Sequence, residues 1–111
     1  MNLEKEELIV VMTTFGSMAE ANKGVQQLVS EGWVACAQVL PAIMSHYRWE
    51  GKMQKEEEVL VLLKTGRRKF SGLEQKLNEI HPYDVPEIIA LPVAEVSSSY
   101  LGFVTDALKD Y

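Results

Sequence analysis

An α+β sandwich is the fold class this sequence predicts, and three observations predict it. Apolar patterning along the 111 residues runs in the order strand, helix, strand, strand, helix, strand, helix. Two of the strand patterns join in one long hairpin. Pro41 and Pro92 fall inside the second and last strand patterns, and a residue without a backbone N–H belongs at a sheet edge or a bulge. A βαββαβ core with two helices on one sheet face puts those two strands at the edges. That is the ferredoxin-like arrangement, here with an extra C-terminal helix. Residues 1–111 are expected to form a single domain, since single domains most often run about 100–150 residues.

Each element has its own signal. Leu8 to Thr14 is apolar on both faces, as suits a central strand. Ser17 opens a helix with Glu20 three residues on, the spacing of a capping box. Met18, Ala21, Val25, Leu28 and Val29 share one stripe of that helix, and Gly32 ends it. Trp33 to Trp49 is strand-like, interrupted at Pro41; beyond it Ile43, Tyr47 and Trp49 alternate with His46, Arg48 and Glu50. Glu50-Gly51-Lys52 signals a tight turn, and the return strand runs from Met53 to Thr65. Phe70, Leu73, Leu77 and Ile80 mark a second helix that stops before Pro82. Ile88 to Val93 is the last strand, and Ser97 to Ser99 cap a third helix carrying Tyr100, Phe103, Val104, Ala107 and Leu108.

Composition excludes several classes of function. The net charge is −5 and no basic stripe forms, so nucleic acid is not an expected partner. The apolar runs are too short to span a bilayer. Glu4, Glu6 and Glu7 do not suit the basic start of a signal peptide, and the expectation is a soluble, cytoplasmic protein. The single Cys36 lies between Ala35 and Ala37 and is expected to be buried and inert. The overlong hairpin, with Tyr47 and Trp49 on one face, leaves strand edges and aromatic surface that another copy of the chain would cover.

His81-Pro82-Tyr83-Asp84-Val85-Pro86-Glu87 concentrates an imidazole, a phenol and two carboxylates on a path stiffened by two prolines. It can serve as a binding site or as a plain helix-to-strand connector. His81 can complement the end of the second helix or ligate a metal. Lys64, Tyr83, Glu87 and Trp49 are the candidate lining of a ligand cleft. Acid–base chemistry by His81, Tyr83 and Glu87 is a rival reading, although no nucleophile, phosphate loop or cofactor fingerprint stands beside them. Lys55-Glu56-Glu57-Glu58 reads as a solvated strand edge, with Glu56 and Glu58 on one face and Glu57 on the other. Cys36, His46 and His81 have no metal-ligand spacing to one another.

The motifs taken together resemble the CutA family, the divalent-cation tolerance proteins. The resemblance rests on Ala35-Cys36-Ala37, Leu40-Pro41, Tyr47 to Lys52, Glu57-Glu58-Val59, Leu63-Lys64-Thr65 and, above all, His81 to Glu87. It implies a ferredoxin-like subunit in a homotrimer similar in design to the PII signalling proteins, with a link to copper and other divalent metals and no demonstrated catalysis. The copper ligands it implies are a cysteine ending the first strand and a pair of histidines before the Pro-Tyr. Thr13 and Ile80 stand at two of those positions, leaving His81. Any Cu²⁺ or other divalent cation is therefore expected to bind weakly, through His81 with a carboxylate such as Glu87 or a group of a neighbouring subunit. The reading is a trimeric metal-response or signalling module that holds a small ligand or cation between subunits. Its rivals are the acid–base enzyme and a structural trimer acting through a partner protein.

Overall fold

The structure, a computed structural model, describes residues 6–109; Glu4 of the acidic N-terminal stretch lies outside them. Four strands form one antiparallel sheet in the order β2-β3-β1-β4, from β1 (Leu8–Phe15), β2 (Cys36–Trp49), β3 (Lys52–Gly66) and β4 (Ile89–Pro92). The helices are α1 (Met18–Ser30), α2 (Phe70–Ile80) and α3 (Ser98–Leu108), with a 3-10 turn at Arg67–Lys69 leading into α2. The ferredoxin-like order is thus present. Pro41 lies on edge strand β2 and Pro92 on edge strand β4, where the missing N–H costs the ladder nothing.

The main core fills the space between one sheet face and the first two helices. Ile9, Val11 and Phe15 of β1 and Val59, Val61 and Leu63 of β3 meet Ala21 and Leu28 of α1 and Leu73 and Leu77 of α2. Burying each Leu or Val side chain contributes about 1.5–3 kcal/mol. The register aligns these residues face to face, with Val11 opposite Leu63 and Thr13 opposite Val61. A second, smaller cluster lies on the other face, where Val104 and Leu108 of α3 cover Leu8. The rest of that face is left open. Val10, Met12, Leu60 and Leu62 are only half-buried, and Leu40, Ile89 and Leu91 are exposed.

Local chemistry explains the boundaries. Ser17 Oγ accepts the Glu20 N–H at 3.1 Å, and Gly32, at φ 78°, takes the left-handed turn that closes α1. Ser97 caps α3 in the same way through the Tyr100 N–H. The hairpin turns through Glu50 and Gly51, at φ 52° and 78°, the mirror-image turn that matches strand twist. The register of β2 slips between Leu40 and Ile43, with Ala42 at φ 64°. Pro41 sits in that bulge, as its lack of a donor requires. From there the hairpin continues as a two-stranded arm, and the molecule reaches 55 Å in its longest dimension.

Candidate functional site

The connector between α2 and β4 is built onto the end of β1 and the root of the arm. Pro82 forces His81 out of the helical region, to φ −74° and ψ 135°, and this ends α2. The His81 N–H still reaches the Leu77 carbonyl at 2.8 Å. Its ring then turns inward and is 7% exposed. It stacks on Phe15 with centroids 4.4 Å apart and planes 16° apart.

Both ring nitrogens are committed. The Tyr83 backbone N–H donates to Nδ1 at 3.1 Å. Nδ1 must therefore be the bare nitrogen, and Nε2 carries the proton that it donates to the Thr14 carbonyl at 2.7 Å. Burial pushes the imidazole pKa below its usual value, opposed by the bond to Thr14 and by the charges of Glu20 and Glu58. The sequence suggested a dipole-complementing or metal-ligating ring; the structure shows one that pins the connector to β1.

Tyr83 completes the connection to the arm. Its phenol donates to Glu58 Oε2 at 2.8 Å, while Ser45 Oγ donates to Glu58 Oε1 at 2.6 Å. Burial, then the bond to Glu58, raises the Tyr83 pKa, so the phenol keeps its proton. Farther out, Tyr47 donates to Glu56 Oε1 at 2.6 Å, and that bond raises the Tyr47 pKa. A shallow cavity of about 240 Å³ opens beside Glu58, between Gly16 and Ser17 at the start of α1 and Ala42 in the bulge.

Glu58 is the residue that sequence reasoning placed wrongly. It was expected on a solvated edge and is 9% exposed, buried under Tyr83. Cys36 also differs from expectation. It is half-buried rather than buried, because only the α3 side of this edge-strand residue is covered. Its sulfur lies 3.2 Å from the Tyr100 hydroxyl, and this contact pushes the Tyr100 pKa up to about 12.

Within one chain, the four residues named as a cleft lining do not come together. Lys64 bonds Gln38 near the far end of β3. Trp49 is exposed at the arm tip, opposite Lys52. Each lies roughly 20 Å from Glu58 along the strand, at about 3.3 Å per residue. Glu87 is exposed on the connector, and only Tyr83 stands at Glu58.

The donor set of one chain does not fit a resident divalent ion. Among the described residues, no three His, Cys, Asp or Glu side chains gather in ligating positions. His81 would have to give up a hydrogen bond to bind one. Thr13 is fully buried, and its hydroxyl has no partner among the described residues.

The family model for the CutA1 divalent ion tolerance protein matches residues 9–107. The chain belongs to this CutA1 family. It is 38% identical over 97 residues to the divalent-cation tolerance protein CutA of Thermus thermophilus, covering 87% of this chain and 94% of that protein. It is 38% identical over 102 residues to the CutA of Pyrococcus horikoshii, covering 92% and 99%. The crystal structure of CutA1 from Oryza sativa superimposes with a TM-score of 0.92 at 32% identity, covering 96% of this chain and 98% of that one. Similarity of this extent over nearly the whole length shows that this chain and the Oryza sativa CutA1 share one fold.

Proposed function

We propose that this CutA1-family chain serves divalent-cation tolerance in the cytoplasm as a trimeric binding and signalling module. It does so without catalysis and without a tight ion site inside one chain. The observation that carries the non-catalytic reading is the His81 ring, whose two nitrogens are both spent on backbone groups. A general base needs a free lone pair within reach of substrate. Tyr83, with its pKa raised and its O–H engaged in a hydrogen bond to Glu58, offers neither a ready acid nor a nucleophile.

Assembly is supported by the open sheet face and the arm. Leu40, Ile89 and Leu91 are 40%, 47% and 46% exposed, and Trp49 and Met53 on the arm are 51% and 69% exposed. Apolar surface of this kind beside two unpaired sheet edges suits an obligate interface. Assembly is also what could bring a neighbour's residues to Tyr83 and make a cleft that one chain lacks.

Two measurements test the proposal. Sedimentation equilibrium should give three times 12.5 kDa, and a well-folded monomer would refute the assembly. Titration calorimetry with Cu²⁺ at neutral pH should show only weak binding. Tight stoichiometric binding would refute the absence of a strong site.

A further inference from the structure

The arm carries its charges in two separate groups. Arg48, Lys52 and Lys55 lie toward the tip with Glu50, whereas Glu56, Glu57 and Glu58 follow one another at the root. Among the described residues, none of the ion pairs within one chain includes Arg48, Lys52, Lys55, Glu57 or Glu58. Arg48 cannot reach Glu58 of its own chain. Glu58 pairs across the ribbon with Ile43, and Arg48 stands farther out along β2, roughly 16 Å away at about 3.3 Å per residue.

The lack of a cation matters most at Glu58. It is 9% exposed, and its two oxygens accept from the hydroxyls of Ser45 and Tyr83, neither of which brings a charge. A buried carboxylate without a cation is costly, and such groups are ordinarily paired. Beside it opens the shallow cavity of about 240 Å³, whose lining holds both Glu57 and Glu58 and no Lys, Arg or His. Met18 and Pro41, both exposed, supply apolar surface at its edge. An arginine suits such a place, since its guanidinium forks onto carboxylates and its stem covers apolar surface.

We propose that Arg48 on the arm of a second copy enters this cavity and pairs with Glu57 and Glu58. The contact rests on the trimeric assembly proposed above and says which surfaces meet in it. It joins the tip of one arm to the root of the next, so it is head-to-tail, and repeated three times it can close a ring. Met53 pairs with Arg48 across the ribbon and Trp49 follows it, so docking of Arg48 also brings these exposed side chains against the neighbour. Complementary charges placed in this way fix the register of an interface and oppose wrong pairings.

Charge reversal on the full chain tests it, read by sedimentation over a concentration series, with urea added where the parent does not dissociate. Arg48→Glu and Glu57→Arg should each raise the concentration at which the trimer half-dissociates by roughly tenfold or more, because like charges then face each other. Both positions are exposed, so each variant should keep the circular dichroism of the parent. The two reversals combined in one chain exchange the partners and should recover most of the loss. The contact is refuted if the parent is a trimer and either reversal leaves its dissociation unchanged. It is also refuted if the combined variant is no stronger than the singles, or if Lys52→Glu or Lys55→Glu weakens the trimer as much as Arg48→Glu. A monomeric parent would instead overturn the assembly itself, and this contact with it. Should a reversed chain not fold, Arg48→Gln decides alone, and an unchanged trimer refutes the contact.

Discussion

Acidification is expected to weaken this protein through one identifiable group, His81. Its ring is 7% exposed, and burial holds its pKa below the usual value against the bond to Thr14 and the charges of Glu20 and Glu58. Above the ordinary histidine value of about 6.5 the ring is neutral in both the folded and unfolded chain, and it adds no pH dependence. Below that value the unfolded chain binds a proton that the folded chain refuses until its own lower pKa is reached. Stability therefore falls as pH falls through this window. One proton gives a slope of at most about 1.36 kcal/mol per pH unit. Protonation at Nδ1 would also break the Tyr83 N–H bond that holds the connector. Urea unfolding followed by circular dichroism from about pH 8 to about pH 5 reads the slope above most carboxylate titration. His81→Phe is the control, since it can keep a ring against Phe15 and removes the proton. At neutral pH it should cost about 1–3 kcal/mol for each backbone group left unpaired, and its curve should be shallower than the parent's. Parallel curves for the two proteins would refute the assignment to His81.

Two further substitutions test the packing around the site. Thr13→Val should stabilise by about 1 kcal/mol, because it keeps the side-chain shape and removes a fully buried hydroxyl without a partner among the described residues. A lowered urea midpoint would show that the hydroxyl is bonded after all. Gly72→Ala would gain about 1 kcal/mol in an open helix, yet here the new Cβ would stand 2.5 Å from Trp33 Cζ3. A net loss of about 1–3 kcal/mol is expected, and a raised midpoint would mean that the indole is not held against α2.

Much of the fold was legible because its signals are local. The two prolines identified the edge strands through a missing donor, and Ser17 and Ser97 identified helix starts through a hydroxyl three residues from the N–H it accepts. The hairpin turn was readable because Gly51 tolerates the positive φ it needs. The site was less legible because its partners are distant in sequence. His81 meets a carbonyl 67 residues away and Glu58 a phenol 25 residues away. Period-two alternation correctly put Glu56 and Glu58 on one face, but it treats every position on that face alike. Glu56 meets Tyr47 in the open, while Glu58 lies under the connector. Within one chain an extended strand separates Lys64 from Trp49, so the cleft expected from Lys64, Tyr83, Glu87 and Trp49 would need residues of more than one copy. The connector itself carried the usable clue. Pro82 turns the ring of His81 away from the helix it ends, and once that ring is pinned to β1, Tyr83 is held within reach of the arm's root. A buried carboxylate at that point is the acceptor that the half-buried phenol takes.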